Sequence, residues 1–207
     1  MHFRAFHSEE GDCLLLFTDD ESKHILIDGG KSRSFKANVR DVLADLKDAD
    51  KPLDVVDRVD LDRYLGTWYE IASYPAWFAK NCTGVTAEYS WRDDGKIQVI
   101  NRCFKGTLDG KLKESRGRAK LADAATQAKL KVSFFGPFWG DYWIIDLDPD
   151  YRWAVVGEPK RKYLWILSRT PTLDKETLDG ILSRLPARGY DVGRLQWTLQ
   201  AETGETP

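Results

Sequence analysis

The stretch Gly66-Thr67-Trp68-Tyr69-Glu70-Ile71 opens a strand read over 67–74, and the segments after it repeat its grammar. Short alternating or aromatic-rich runs recur about every 10 to 15 residues with turn signals between them. Eight strands are predicted, over 67–74, 83–91, 96–104, 113–121, 129–135, 141–147, 152–157 and 163–169. Asp93-Asp94-Gly95 joins the second and third as a hairpin. Asp109-Gly110 lies in the next turn and Asp148-Pro149-Asp150 in a later one. A helix follows, with Asp174 as N-cap, an apolar face of Leu178, Ile181, Leu182 and Leu185, and Pro186 and Gly189 at its end. A last short strand over 194–199 carries Leu195, Trp197 and Leu199. This order predicts a mainly β fold, an eight-stranded antiparallel up-and-down barrel whose closure removes exposed sheet edges. A β-sandwich fits the strand count as well. An eight-stranded barrel is either filled by its own side chains or holds one small ligand, and the pattern leaves both open.

Composition narrows the function. The 207 residues carry 31 basic and 33 acidic side chains, a balance unlike that of a nucleic-acid surface. No run approaches the length of apolar sequence needed to span a bilayer as a helix. The start of the chain, Met1-His2-Phe3-Arg4-Ala5-Phe6, lacks the apolar stretch of a secretory signal, which predicts a cytoplasmic location. All three histidines, His2, His7 and His24, precede the barrel, so a histidine-based dyad or metal site within it is excluded. The three cysteines, Cys13, Cys82 and Cys103, contain no C-x-x-C pair. Seven of the eight tryptophans lie between Trp68 and Trp165, where large, low-entropy side chains suit a core or an apolar pocket.

Three motifs in order give the barrel a family. Gly66-Thr67-Trp68 resembles the G-x-W signature of lipocalins. Asp146-Leu147-Asp148-Pro149-Asp150-Tyr151 resembles their second motif, and Arg169, in Leu164-Trp165-Ile166-Leu167-Ser168-Arg169-Thr170-Pro171, matches the third. The chain is most similar to the bacterial lipocalin and apolipoprotein D-like branch, through that last stretch and Lys131-Val132-Ser133-Phe134-Phe135-Gly136-Pro137-Phe138. The resemblance makes Gly66, Trp68, Asp148, Tyr151 and Arg169 structural, with the Arg169 guanidinium packed across the Trp68 ring at the closed end. It implies binding, storage or transport of a small hydrophobic ligand, namely a fatty acid, lysophospholipid or similar lipid. It implies neither catalysis nor a cofactor. The alternative is an isomerase or de-epoxidase on the same barrel, with Glu70, Tyr89 or Cys103 as acid–base groups. The branch also implies a periplasmic or outer-membrane location, against the cytoplasmic expectation.

Strand alternation assigns faces. It turns Val85, Ala87, Tyr89 and Trp91 inward, with Ile97, Val99 and Asn101, with Leu130, Val132 and Phe134, and with Trp165 and Leu167. The sixth strand is apolar on both faces, and resemblance favours Trp143 over Tyr142 as its inward residue; Trp153 is a further candidate in the seventh. The expected ligand contacts are thus Tyr89, Trp91, Val99, Asn101, Val132, Phe134, Trp143, Trp153 and Trp165. Glu70 shares the parity of Trp68 and points in or twists out. The hairpin register sets Cys82 and Cys103 one diagonal step apart, giving a disulfide in an oxidising compartment and two thiols in a reducing one. Aromatics in Tyr74-Pro75-Ala76-Trp77-Phe78-Ala79-Lys80-Asn81, with Phe138 and Trp139, are expected to rim the open end. There they would gate the ligand, touch a membrane or form a homodimer contact.

The first fifty residues read differently. Strands at 12–17 and 24–28, the turn Asp28-Gly29-Gly30 and the helical spacing of Val39, Val42, Leu43 and Leu46 make a small β-β-α extension. It resembles a truncated N-terminal fragment of the metallo-β-lactamase fold. The H-x-H-x-D-H motif of those enzymes is missing, which disfavours a metal hydrolase. The organisation predicted is 1–50 non-catalytic fragment, 51–56 linker, 57–200 barrel and 201–207 disordered tail.

Overall fold

The structure is a computed structural model that describes residues 52–76 and 80–201, together with the backbone of three earlier strands. The predicted helix around Val39 to Leu46, the turn at Asp28, the loop residues Trp77, Phe78 and Ala79, and residues 202–207 lie outside the described residues. The chain divides into two compact units, Met1–Pro52 and Leu53–Pro207.

In the first unit, β1 (His2–Phe6), β2 (Cys13–Phe17) and β3 (His24–Ile27) form an antiparallel sheet in the order β1-β2-β3. The sequence predicts β2 and β3 but not β1. His2-Phe3-Arg4-Ala5-Phe6 is short, with too little alternation to stand out before its pairing with β2 is known.

In the second unit, Asp60 caps a one-turn helix, α1 (Leu61–Tyr64), its carboxylate accepting from the backbone N–H groups of Asp62 and Arg63. The barrel strands follow: β4 (Gly66–Ser73), β5 (Cys82–Trp91), β6 (Ile97–Lys105), β7 (Leu112–Leu121), β8 (Lys129–Ser133), β9 (Gly140–Leu147), β10 (Trp153–Gly157) and β11 (Leu164–Ser168). Each pairs antiparallel with the next. β11 returns to β4, with Leu167 opposite Glu70 and Trp165 opposite Ser73. That pairing closes the ring and removes the β-sandwich alternative. Helix α2 (Lys175–Arg184) starts at Asp174, whose side chain accepts from Thr177 N, and a 3₁₀ turn at Val192–Arg194 leads into β12 (Gln196–Trp197) beside β4. The last strand is therefore shorter than the span read over 194–199.

Two cores result. Inside the barrel, Trp68, Tyr89, Ile97, Val99, Ala119, Leu130, Ile144, Val156 and Leu167 pack together. Outside it, Ile181 and Leu185 of α2 cover Ile145, Val155, Leu164 and Ile166. The wall from β9 to β11 is thus buried on both faces, which is why its sequence does not alternate.

Candidate functional site

The closed end is built around Trp68, which is 0 % exposed. Its indole N–H donates to the Tyr64 carbonyl oxygen at 2.8 Å. The Arg169 guanidinium carbon lies 3.8 Å above the ring centroid. The same guanidinium donates to the carbonyl oxygens of Thr67, Arg63, Tyr64 and Tyr151. A cation–π stack and a planar fork of donors thus tie α1, β4 and the β9–β10 turn into one plug. Gly66 takes φ +93°, and a Cβ there would sit 3.3 Å from an Arg169 nitrogen, so both the backbone and the space call for glycine. Asp148 holds the turn: it is buried and accepts from Asp150 N and Arg152 N, while its ion pair with Arg152 lowers its pKa. The Tyr151 hydroxyl accepts from Asp60 N at 2.7 Å, and the Arg63 guanidinium covers the Tyr151 ring.

Above the plug stand three tyrosines. The hydroxyls of Tyr64 and Tyr142 are 2.8 Å apart, and those of Tyr142 and Tyr89 are 2.9 Å apart. Burial pushes all three pKa values up, that of Tyr89 to about 12, so the hydroxyls keep their protons at neutral pH. Higher on the wall, the inward residues Val132, Phe134 and Trp165 pack on the inner core yet keep surface of their own, as Tyr142 does below them. Gly117 leaves room for Phe134, since a Cβ there would fall 2.8 Å from the ring. Trp165 stacks on Tyr163 at 5.8 Å. The Asn101 side-chain oxygen is buried with no hydrogen-bond partner.

Alternation places Tyr89, Val99, Asn101, Val132, Phe134 and Trp165 on the inner face, as read from sequence. Three ligand contacts expected from sequence stand elsewhere. Trp143 packs in the outer core with the Lys129 ammonium over its ring, and Tyr142 takes the inward position instead. Trp153 also faces outward, next to Arg184 of the covering helix. Trp91 has the right parity but lies past the plug, 47 % exposed, donating to Asp62. Tyr64 is the lining residue that sequence reading missed; the Asp60 cap was its one local signal, and a four-residue helix has too little pattern to detect.

Glu70 points inward, opposite Leu167. Its Oε1 accepts from the hydroxyls of Ser73 at 3.0 Å and Thr198 at 2.6 Å. Thr198 belongs to the C-terminal segment that completes the wall between the upper parts of β4 and β5, where Leu199 O accepts from Gly84 N. Burial raises the Glu70 pKa against the opposing pull of the two hydroxyls. The folded state therefore holds the proton more strongly than the unfolded chain, and this group's contribution falls as pH rises from about 4.5 through its raised folded value. Glu70→Gln, whose amide oxygen still accepts both hydroxyls, is expected to remove that slope and to be no less stable at pH 7. Urea denaturation across pH 4 to 8 checks it; an unchanged slope would refute the assignment.

Glu70, Tyr89 and Cys103 are not brought into one hydrogen-bonded set. Glu70 and Tyr89 have the separate partners given above, and Cys103 is joined to Cys82 by a disulfide with Cα atoms 5.5 Å apart. At the open end, Phe135 and Phe138 are each 76 % exposed.

An eight-stranded barrel, sealed at one end by a tryptophan–arginine stack and lined above it by apolar side chains, defines the class of calyx-type barrels. The chain belongs to the lipocalin family: the lipocalin-like domain matches residues 59–200. Outer membrane lipoprotein Blc of Escherichia coli K12 is 48 % identical over 146 residues, covering 70 % of this chain and 82 % of that protein. Mouse apolipoprotein D is 34 % identical over 157 residues, covering 71 % and 80 %. The solved structure of insecticyanin from the tobacco hornworm Manduca sexta superposes with a TM-score of 0.60 at 24 % identity, over 73 % of this chain and 86 % of that one, and shows the shared fold.

Proposed function

We propose that the barrel binds, stores or carries one small hydrophobic ligand, a fatty acid, lysophospholipid or similar lipid, and does no chemistry on it. The observation that carries this is the contrast along the inner wall. Trp68, Leu130 and Val99 are sealed, whereas Val132, Phe134, Tyr142 and Trp165 face the same interior and keep surface. Apolar walls with a few placed polar groups, here the tyrosine hydroxyls and Asn101, suit an amphiphile. The separate partners of Glu70, Tyr89 and Cys103 weigh against the isomerase or de-epoxidase alternative. Titration with an anthroyloxy-labelled fatty acid should quench tryptophan fluorescence saturably, with a Kd of about 1 μM, and unlabelled lysophosphatidylcholine should displace it. A linear, non-saturable response would overturn the reading.

Phe135 and Phe138 at the rim, with the exposed Lys105 and Lys111 at the same end of the barrel, support a peripheral membrane contact there. A homodimer through the same aromatics is the other use of that surface. Vesicle co-sedimentation, set against sedimentation velocity in buffer, separates the two. Among the described residues no helix is long and apolar enough to cross a membrane. The bacterial relatives are outer membrane lipoproteins, which supports a periplasmic or outer-membrane setting over the cytoplasmic expectation. The likeness of residues 1–50 to a metallo-β-lactamase opening rests on their sequence alone, and we keep it as a proposal for a non-catalytic fragment.

A further inference from the structure

We propose that Tyr64, Tyr142 and Tyr89 form a hydrogen-bond donor site at the base of the cup, which takes an uncharged acceptor oxygen at the leading end of the ligand. This rests on the cup reading above and names the ligand more narrowly. Three hydroxyls carry three protons. Two contacts join them, Tyr64 to Tyr142 and Tyr142 to Tyr89, and each uses one proton. However the two bonds are directed, one O–H is left over. If Tyr64 donates to Tyr142 and Tyr142 to Tyr89, the free proton is on Tyr89. The reverse direction leaves it on Tyr64, and two donors converging on Tyr142 leave it on Tyr142. Tyr64 and Tyr89 are 1 % and 5 % exposed, so bulk water does not take this proton at either of them. Tyr142 keeps surface while facing inward, so the set opens onto the interior of the cup. A buried donor without an acceptor is costly, and the interior is where its acceptor must come from.

The acceptor is uncharged because, among the described residues, the base of the cup offers no counter-charge. The nearest guanidinium, that of Arg169, lies against the Trp68 ring and spends its donors on four backbone carbonyls. A carboxylate carried down to the tyrosines would be desolvated with hydroxyls alone to meet it. The exposed Lys105 and Lys111 stand at the other end of the barrel. The geometry therefore fits an amphiphile that enters tail first, leaves its acidic group at the rim and carries a keto, ester or hydroxyl oxygen near the end of its tail.

The test compares dodecanoic and hexadecanoic acids with their (ω−1)-oxo derivatives, by displacement of a labelled fatty acid. At the chain length that reaches the base, the oxo acid should bind about threefold to tenfold tighter than its parent. Tyr89→Phe should keep that preference, because two hydroxyls joined by one bond still leave one proton. The triple change Tyr64→Phe, Tyr89→Phe and Tyr142→Phe should abolish it, so that each oxo acid binds no tighter than its own parent acid. Equal binding of parent and oxo acids to the unaltered chain at both lengths overturns the proposal without recourse to any variant. So does a preference that survives in the triple variant. Failure of every acid to bind overturns the cup reading itself, and the two failures are thus distinguishable.

Discussion

Replacing Trp68 with alanine should destabilise the barrel by about 3–5 kcal/mol, the range for removing a fully buried tryptophan. The side chain is 0 % exposed and sits where α1, β4 and the Arg169 guanidinium meet. Its loss opens a cavity at the base of the inner core and leaves the Tyr64 carbonyl without the indole N–H. It also strips the guanidinium of a ring contact worth about 0.5–2 kcal/mol. Against the total stability of about 5–15 kcal/mol usual for a domain, that is a large fraction, and the melting temperature should fall by roughly 10 °C. Trp68→Phe should cost less, because a ring still underlies Arg169 and only the hydrogen bond and part of the volume are lost. Thermal and urea denaturation followed by circular dichroism measure both. A loss under about 1 kcal/mol for Trp68→Ala would mean that the plug collapses to fill the space and that the stack is not a determinant of the fold.

The residues of this plug were legible in the sequence through the resemblance of its three motifs to lipocalins, and the structure supplies the physical reason for that pattern. Gly66, Trp68, Asp148, Tyr151 and Arg169 each meet a demand that few side chains satisfy: a positive φ beside a guanidinium, a large ring, a carboxylate bonded to its own turn, a hydroxyl that reaches the Asp60 backbone N–H, and a planar fork of donors. The inward positions on β5, β6 and β8 were legible because their outer faces meet water and the period of two shows. On β9 and β10 it does not show. Both faces are buried there, the inner against the cup and the outer against Ile181 and Leu185, so Tyr142 and Trp143 look equivalent until the covering helix is placed. Trp91 illustrates a different limit. Alternation reports which way a side chain points, but not how far along the axis the cup extends, and β5 runs past its base to meet Asp62. Tyr64 enters the cup from a helix, which strand periodicity cannot anticipate.

Whether the interior is a cup or a filled core can be decided by adding bulk rather than removing it. Val132 faces inward, opposite Ala119 on β7 and Gly140 on β9, and its neighbours across the sheet are small. Val132→Trp should lower the affinity for a fatty acid at least about thirtyfold, some 2 kcal/mol, because the indole occupies volume the ligand needs. Stability should change by less than about 1 kcal/mol, since an indole entering open space displaces only solvent and gains apolar contact with Phe134 and Leu130. A filled barrel predicts the opposite pair of results. The extra ring would force neighbouring side chains off their rotamers at a cost of about 1–3 kcal/mol, and there would be no saturable binding in the parent chain to lose. Isothermal titration and urea denaturation on the same two proteins give both readouts. A large loss of stability with ligand affinity untouched would place the ligand away from this wall and sink the reading of Val132, Phe134 and Trp165 as its lining.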